Sequence, residues 1–147
     1  MMKVLFFVLL TVAVAMAADK PCFDHLQRLG RMPRPMVGVF VPKCDDNGHY
    51  SSMQCHGSVC YCARKDGKNI GYENGIWESQ EKSCNCARDA DEYRQTGMLG
   101  RMFRCDKMGN YSPLQCHGSA CFCVDKFGKK RQEIEGVHIS QSHTLKC

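Results

Sequence analysis

The chain opens with one long apolar run, and beyond it hydrophobic residues occur only in short groups. Residues 4–18 are apolar except for Thr11, and they follow the basic residue Lys3. Ala15-Met16-Ala17 fits the small-x-small pattern at which signal peptides are cleaved. The run is shorter than the roughly 20 residues needed to cross a bilayer. The pattern therefore predicts a secretory signal peptide over residues 1–17 and no membrane insertion.

The remaining hydrophobic pattern predicts only short elements. Two segments, 24–29 and 89–94, carry apolar residues at helical spacing, and each begins shortly after a cysteine. We predict a short helix at each of them. Turn-forming residues at 46–48 precede a predicted strand over 50–54, with 60–63 as its partner.

Cysteine usage changes this picture more than any other feature of the composition. The chain contains twelve cysteines, an even and dense set, and all of them follow the predicted signal peptide. Such a set indicates a disulfide framework formed in an oxidising compartment, and hence a secreted, extracellular protein. The cysteines are Cys22, Cys44, Cys55, Cys60, Cys62, Cys84, Cys86, Cys105, Cys116, Cys121, Cys123 and Cys147.

The cysteine spacing repeats, and so do the residues around it. Steps of 11, 5 and 2 residues recur in both halves, and segment 48–62 matches segment 109–123. We therefore predict two modules, module one at 18–84 and module two at 85–147. A core of about 60 residues is marginal without covalent staples. Because only Asn85 separates Cys84 from Cys86, we expect little freedom between the modules.

Charge and motif content argue against several functional classes. The formal net charge of +5 falls to +4 without Lys3, and the positive residues are scattered among acidic ones, which does not suit nucleic acid. The longest basic run, 129–131, is interpreted as a solvated turn, with heparin-like binding as the alternative. Adjacent Cys-His pairs in an oxidising context do not indicate a zinc site. We predict no metal, no cofactor, no catalytic residue and no enzyme activity.

Each half of the chain resembles the thyroglobulin type-1 domain. The family signature, Gly-x-Tyr-x-x-x-Gln-Cys followed by Cys-Trp-Cys-Val, is matched at 48–63 and 109–124, with Tyr61 and Phe122 in place of the tryptophan. The resemblance implies a small, disulfide-rich, irregular α+β fold: two tandem modules, each a short N-terminal helix plus a small antiparallel sheet held by three disulfides. It also implies the pairings 22–44, 55–60, 62–84, 86–105, 116–121 and 123–147. The two-module layout is similar to thyroglobulin type-1 proteins of spider venoms.

The resemblance implies a function as well. Several family members, the thyropins, inhibit papain-like cysteine proteases by wedging loops into the active-site cleft. The candidate protease-contact residues here are Arg34, Pro35, Met36, Val37, Gly38 and Val39; His56, Gly57 and Ser58; and Gly97, Met98, Leu99, Gly100 and Arg101. We expect module one to be the better inhibitor, because Pro33, Pro35 and Pro42 stiffen its first loop. The protein is expected to act as a monomer.

Other interpretations remain open. The candidate loops could be ordinary connections, and the chain could be a matrix or growth-factor binding module or a venom toxin acting on a channel or receptor. Asn110-Tyr111-Ser112 is a formal glycosylation acceptor. Pro113 and the predicted strand argue against its use.

Overall fold

The computed structural model describes residues 19–32 and 37–147. The predicted signal peptide and residues 33–36 of the first loop lie outside this range. The elements in chain order are helix α1 (Pro21–Gly30), strands β1 (Met53–His56), β2 (Val59–Ala63) and β3 (Asn69–Gly75), a first 3₁₀ helix (Ile76–Glu81), helix α2 (Asn85–Gln95), strands β4 (Leu114–His117), β5 (Ala120–Cys123) and β6 (Val137–His138), and a second 3₁₀ helix (Ile139–Thr144). Each module thus has one α-helix and one antiparallel sheet, in the orders β1-β2-β3 and β4-β5-β6.

The predicted helices and strands are present, with shifted bounds. Helix α1 begins earlier than predicted, at Pro21, where the missing amide hydrogen of proline costs no helical hydrogen bond. Strand β1 begins at Met53 because Tyr50 instead forms an isolated bridge with Cys44. The third strand of each sheet and both 3₁₀ helices were not predicted, since their sequences lack a clear apolar period.

Disulfides take the place of a conventional hydrophobic core. The six bridges join the pairs that the family resemblance implies. Most of the fully buried side chains in the described structure are half-cystines, while large apolar residues such as Trp77 and Leu99 lie on the surface. The two modules therefore depend on covalent staples more than on apolar burial.

A tyrosine and a glycine form the same contact in each module. The ring of Tyr50 covers Gly67, where an added Cβ atom would lie 2.8 Å from the ring, and Tyr111 covers Gly128 in the same way. Both glycines have positive φ, so a side chain would be strained as well as crowded. The signature Tyr thus closes a turn that comes well after it in the chain.

Helix α2 of module two packs against the sheet of module one. The chain turns into α2 at Cys84, which has a left-handed backbone conformation with φ 61°. Ala87 of α2 then joins Cys62 and Cys84 in one buried cluster. Gly109 lies against the same cluster, because an added Cβ would come within 2.8 Å of the Cys62 sulfur.

Polar contacts lock this junction between the modules. The buried guanidinium of Arg88 donates to the carbonyl oxygens of Ala63 (2.8 Å) and Tyr50 (2.7 Å). Arg64 donates to both carboxylate oxygens of Asp91, at 2.5 and 3.1 Å. These contacts agree with the restricted freedom expected from a one-residue connection.

Asn110, the formal glycosylation acceptor, is buried at this junction. Its Oδ1 accepts from the amide of Ser83 at 2.6 Å, and its Nδ2 donates to the Glu81 carbonyl at 3.0 Å. The side chain is 5% exposed. The nitrogen that a glycan would occupy is therefore already bonded inside the fold, which is a stronger reason against modification than the neighbouring proline.

Candidate functional site

The first loop of module one is tied to the β1–β2 hairpin. Val37 is fully exposed, and Gly38 has a positive φ of 85°. The Nε2 atom of His56 lies 3.2 Å from the Gly38 carbonyl oxygen and joins the two segments. Val39 is half-buried behind them. The predicted contact residues Arg34, Pro35 and Met36 lie outside the described residues.

The hairpin tip is as short as a hairpin connection can ordinarily be. His56 pairs with Val59, which leaves only Gly57 and Ser58 in the turn. Positive φ at Gly57 but not at Ser58 corresponds to a type II′ turn, which matches the twist of the strands. The Cys55–Cys60 disulfide crosses the hairpin directly behind this tip. The tip is therefore a rigid, exposed point.

A third segment, which the sequence analysis missed, completes this edge. The amide of Ile76 donates to the Ser58 carbonyl at 2.9 Å and places the first 3₁₀ helix beside the hairpin tip. Trp77, the chain's single tryptophan, is 81% exposed there. The only sign of this segment in the sequence was a lone tryptophan in a polar stretch. We call the segments 37–39, 57–59 and 76–77 the module-one edge.

Module two builds a corresponding edge with different side chains. Gly97, Met98, Leu99 and Gly100 are all exposed. The Tyr93 hydroxyl donates to the Leu99 carbonyl at 2.7 Å and fastens this loop to α2.

The hairpin tip of module two, Gly118-Ser119, has its own neighbours. The amide of Ile139 donates to the Ser119 carbonyl at 2.7 Å, and Ser140 follows where module one has Trp77. We call the segments 97–101, 118–120 and 139–140 the module-two edge. It offers Leu99 and Ile139 to a partner, but no aromatic residue from its 3₁₀ helix.

A histidine and an arginine connect the loop and the hairpin of module two. Arg101 and His117 form a backbone bridge, and Arg101 Nε donates to His117 Nε2 at 3.2 Å. The nitrogen that accepts this bond must be unprotonated. Burial, together with the Arg101 charge, lowers the pKa of His117 and favours the neutral ring.

Neither a free thiol nor a cluster of metal-ligand side chains occurs among the described residues. All twelve cysteines are in disulfides, so none is free as a nucleophile. Over 19–32 and 37–147, no three His, Cys, Asp or Glu side chains are grouped as metal ligands would be. Within the same ranges, no helix has the length and apolar character to cross a membrane.

Comparison with known proteins places the chain among thyroglobulin type-1 proteins. The family model described as thyroglobulin type-1 repeat matches residues 22–86 and 79–145. U20-hexatoxin-Hi1a of Hadronyche infensa is 32% identical over 134 residues, which cover 86% of this chain and 89% of the toxin. Equistatin of Actinia equina is 27% identical over 143 residues, 87% of this chain and 58% of equistatin. Mouse nidogen-2 is 29% identical over 136 residues, 77% of this chain but 10% of nidogen-2.

These matches support two predictions from the sequence, on location and on enzyme activity. A disulfide-rich chain with a toxin among its relatives is an extracellular protein. The expectation that it is not an enzyme agrees with the family that its sequence matches. Two matched segments, six disulfides and two equivalent sheets lead to one conclusion: the chain belongs to the thyroglobulin type-1 repeat family and carries two repeats in tandem.

Proposed function

We propose that the protein is a secreted, reversible inhibitor of papain-like cysteine proteases. The observation that carries this proposal is the module-one edge. Three chain segments meet along it and present Val37 and Trp77 almost fully to solvent. An exposed tryptophan on a narrow edge is the kind of residue that dominates binding energy when a pocket covers it.

The construction of the edge favours insertion into a cleft. The loop, the hairpin tip and the 3₁₀ helix are joined by the bonds from His56 to Gly38 and from Ile76 to Ser58. The Cys55–Cys60 disulfide fixes the tip from behind. A surface already held in its bound shape loses little conformational entropy on association. The two-residue hairpin tip is short, and the neighbouring Trp77 adds exposed apolar area beside it.

The proposed inhibition is non-covalent. With every cysteine in a disulfide, the chain has no thiol to form a mixed adduct with the protease. Activity should return fully on dilution. Papain and cathepsins L, S, B and K, titrated with the complete mature chain, would show reversible inhibition of at least one enzyme. No effect on any of them at micromolar protein would refute the proposal.

A natural exchange between the modules tests which edge binds. Trp77→Ser gives module one the residue that module two has, and Ser140→Trp makes the reverse change. The first variant should weaken inhibition by about tenfold or more, in the range of a central interface residue. The second should leave the module-one edge intact. Equal inhibition by wild type and Trp77→Ser would exclude this edge as the contact surface.

A venom toxin acting on a channel or receptor is the second candidate. It is favoured by the spider toxin relative, which matches over most of both chains. A chain that inhibits none of the proteases above but alters currents or signalling in excitable cells would support this candidate.

A further inference from the structure

A groove lies at the junction of the two modules. It has a volume of about 340 Å³ and is lined by Tyr72 of β3, by Ala90, Tyr93 and Arg94 of α2, and by Arg101, Phe103 and Cys105 of the first loop of module two. Its walls come from both modules, so neither module contains the groove alone. None of the lining residues is acidic.

A bulge in strand β3 brings Tyr72 to this groove. The pairing of β3 with β2 shifts register between Cys60 and Cys62, and Tyr72 has a left-handed backbone with φ 58°. Bulges redirect side chains away from the regular alternation of a strand. The ammonium group of Lys82 fixes this conformation by donating to the Tyr72 carbonyl oxygen, and it also donates to Met108 of module two at 2.9 Å.

The two arginines of the groove differ in their acidic partners: Arg94 shares one carboxylate with Arg64, and Arg101 has none in the described part of the chain. Arg94 lies 3.9 Å from Asp91, but that carboxylate already accepts from Arg64 at 2.5 and 3.1 Å and from Gln95 at 2.7 Å. Arg101 has a neutral partner, His117, and in the described part of the chain no carboxylate lies within salt-bridge distance of it. Two guanidinium groups therefore line one groove, and the single carboxylate near them, Asp91, already serves Arg64 and lies outside the lining.

Aromatic rings form the floor beneath these charges. The rings of Tyr93 and Phe103 are 5.8 Å apart, and the Arg101 guanidinium lies over the Phe103 ring with its Cζ 4.5 Å from the ring centre. Stacking of this kind holds a guanidinium plane in place while leaving its donors available.

We propose that this groove binds an acidic peptide segment of a protein partner. Guanidinium groups bind carboxylates through paired, directional hydrogen bonds, and the aromatic floor accommodates an apolar side chain between two acidic ones. The volume suits a few side chains, at the lower end of ordinary ligand sites. Charge complementarity selects the acidic partner, because the lining offers two cations and no anion.

This site is separate from the proposed protease inhibition, although Arg101 belongs to both the groove and the module-two edge. Its test therefore uses no protease. The complete mature chain, labelled with ¹⁵N, is titrated at low salt with acetyl-Glu-Glu-Phe-Glu-Glu-amide and with the matched acetyl-Gln-Gln-Phe-Gln-Gln-amide. The acidic peptide should bind with one-to-one stoichiometry and shift the resonances of Tyr72, Arg94 and Arg101. The neutral peptide should bind at least fivefold more weakly.

Matched variants separate the groove from general charge attraction. Arg94→Gln should lower the affinity for the acidic peptide by about fivefold, as expected for the loss of an exposed ion pair. Arg131→Gln removes the same charge from an exposed segment outside the groove and should change affinity by less than twofold. Ala90→Glu leaves both arginines in place but adds a competing carboxylate to the wall, and it should weaken binding of the acidic peptide by fivefold or more.

Three results would overturn the proposal. Equal binding of the two peptides would show that charge is not recognised. An equal loss of peptide affinity in Arg94→Gln and Arg131→Gln would show only non-specific charge attraction. Inorganic phosphate or sulfate alone could shift the resonances of the groove residues. If the peptide then bound no more tightly than these ions, the groove would be a small-anion site and not a peptide site.

Discussion

The side chain of Gln54 bonds to both backbone groups of Lys43. Its Oε1 accepts from the Lys43 amide at 2.8 Å, and its Nε2 donates to the Lys43 carbonyl at 2.7 Å and to Ser51 at 2.9 Å. Gln54 is 1% exposed. In module two, Gln115 makes the same bonds to Arg104. The signature glutamine thus fastens the end of each first loop to the sheet.

Removing this amide should destabilise the loop and the module. Gln54→Met keeps the volume but leaves buried backbone groups without partners, so we expect the free energy of unfolding to fall by about 3 kcal/mol. Chemical denaturation under non-reducing conditions measures the change. Gln115→Met should have a similar effect in module two. Gln132→Met, at an exposed position, is the control and should change stability by less than about 0.5 kcal/mol. A small effect of Gln54→Met would show that the bonds do not support the loop.

The pair of Arg64 and Asp91 should make the junction sensitive to acid. The hydrogen bond from Arg64 is the main cause that lowers the pKa of Asp91. A carboxylate of this kind stabilises the fold above its unfolded pKa of about 3.9, and that contribution is lost as pH falls through the lower folded value. Asp91→Asn should therefore be less stable than wild type at neutral pH, and the difference should shrink below about pH 4.

A surface ion pair made by another residue of the same helix is the control for this prediction. Glu92 pairs with Lys65 at 3.3 Å, and both side chains are exposed. Glu92→Gln should change stability by less than about 1 kcal/mol at any pH. Denaturation curves collected from pH 2 to pH 7 compare the variants. Equal pH profiles for Asp91→Asn and wild type would contradict the role given to this carboxylate.

The contact between Arg101 and His117 should loosen at mildly acidic pH. The pKa of His117 is lowered, first by burial and then by the Arg101 charge. The neutral ring therefore stabilises the fold above the unfolded pKa of about 6.5, and this stabilisation is lost as pH falls through the folded value. NMR titration should place the His117 inflection below 6.5. Arg101→Gln should raise it only partly, because burial remains. An inflection above 6.5 in the wild type would refute this account.

The Asn110 acceptor should remain without a glycan. Because its side chain is buried and bonded to Ser83 and Glu81, a glycan would have to be added before folding and would prevent docking of the modules. Intact-mass analysis of chain secreted from eukaryotic cells should show an unmodified Asn110. Lys129→Asn combined with Arg131→Thr creates an acceptor in an exposed segment and serves as the positive control. A mass increase removed by a glycosidase in the wild type would contradict the prediction.

The module-one edge should contribute more to protease inhibition than the module-two edge. Val37→Asp places a charge where the proposed interface would exclude water, so inhibition should weaken by about tenfold or more. Leu99→Asp makes the corresponding change in module two and should have a smaller effect. Val41→Asp alters an exposed valine outside the edge and is the control. If Leu99→Asp weakens inhibition more than Val37→Asp, the order of the two modules is reversed.

The local pattern of the sequence determined the elements that depend on neighbouring residues. Apolar spacing placed both helices, and turn residues at 46–48 indicated where the predicted strand pair of module one, 50–54 with 60–63, begins. The repeated cysteine steps indicated two equivalent modules, because a disulfide framework leaves its spacing in the chain. The pairing of the bridges came from the family resemblance and matches the structure.

Only the tertiary structure decided how the modules meet and which side chains share a surface. Arg88, Asp91 and Asn110 have no local signal that distinguishes them from solvated polar residues, yet they are buried where α2 docks on module one. Trp77 reaches the edge because the amide of Ile76 bonds to a hairpin carbonyl 18 residues earlier. The junction groove likewise combines Tyr72 with Arg101 from the other module. Contacts between distant segments depend on how the folded elements pack, and local spacing along the chain does not encode them.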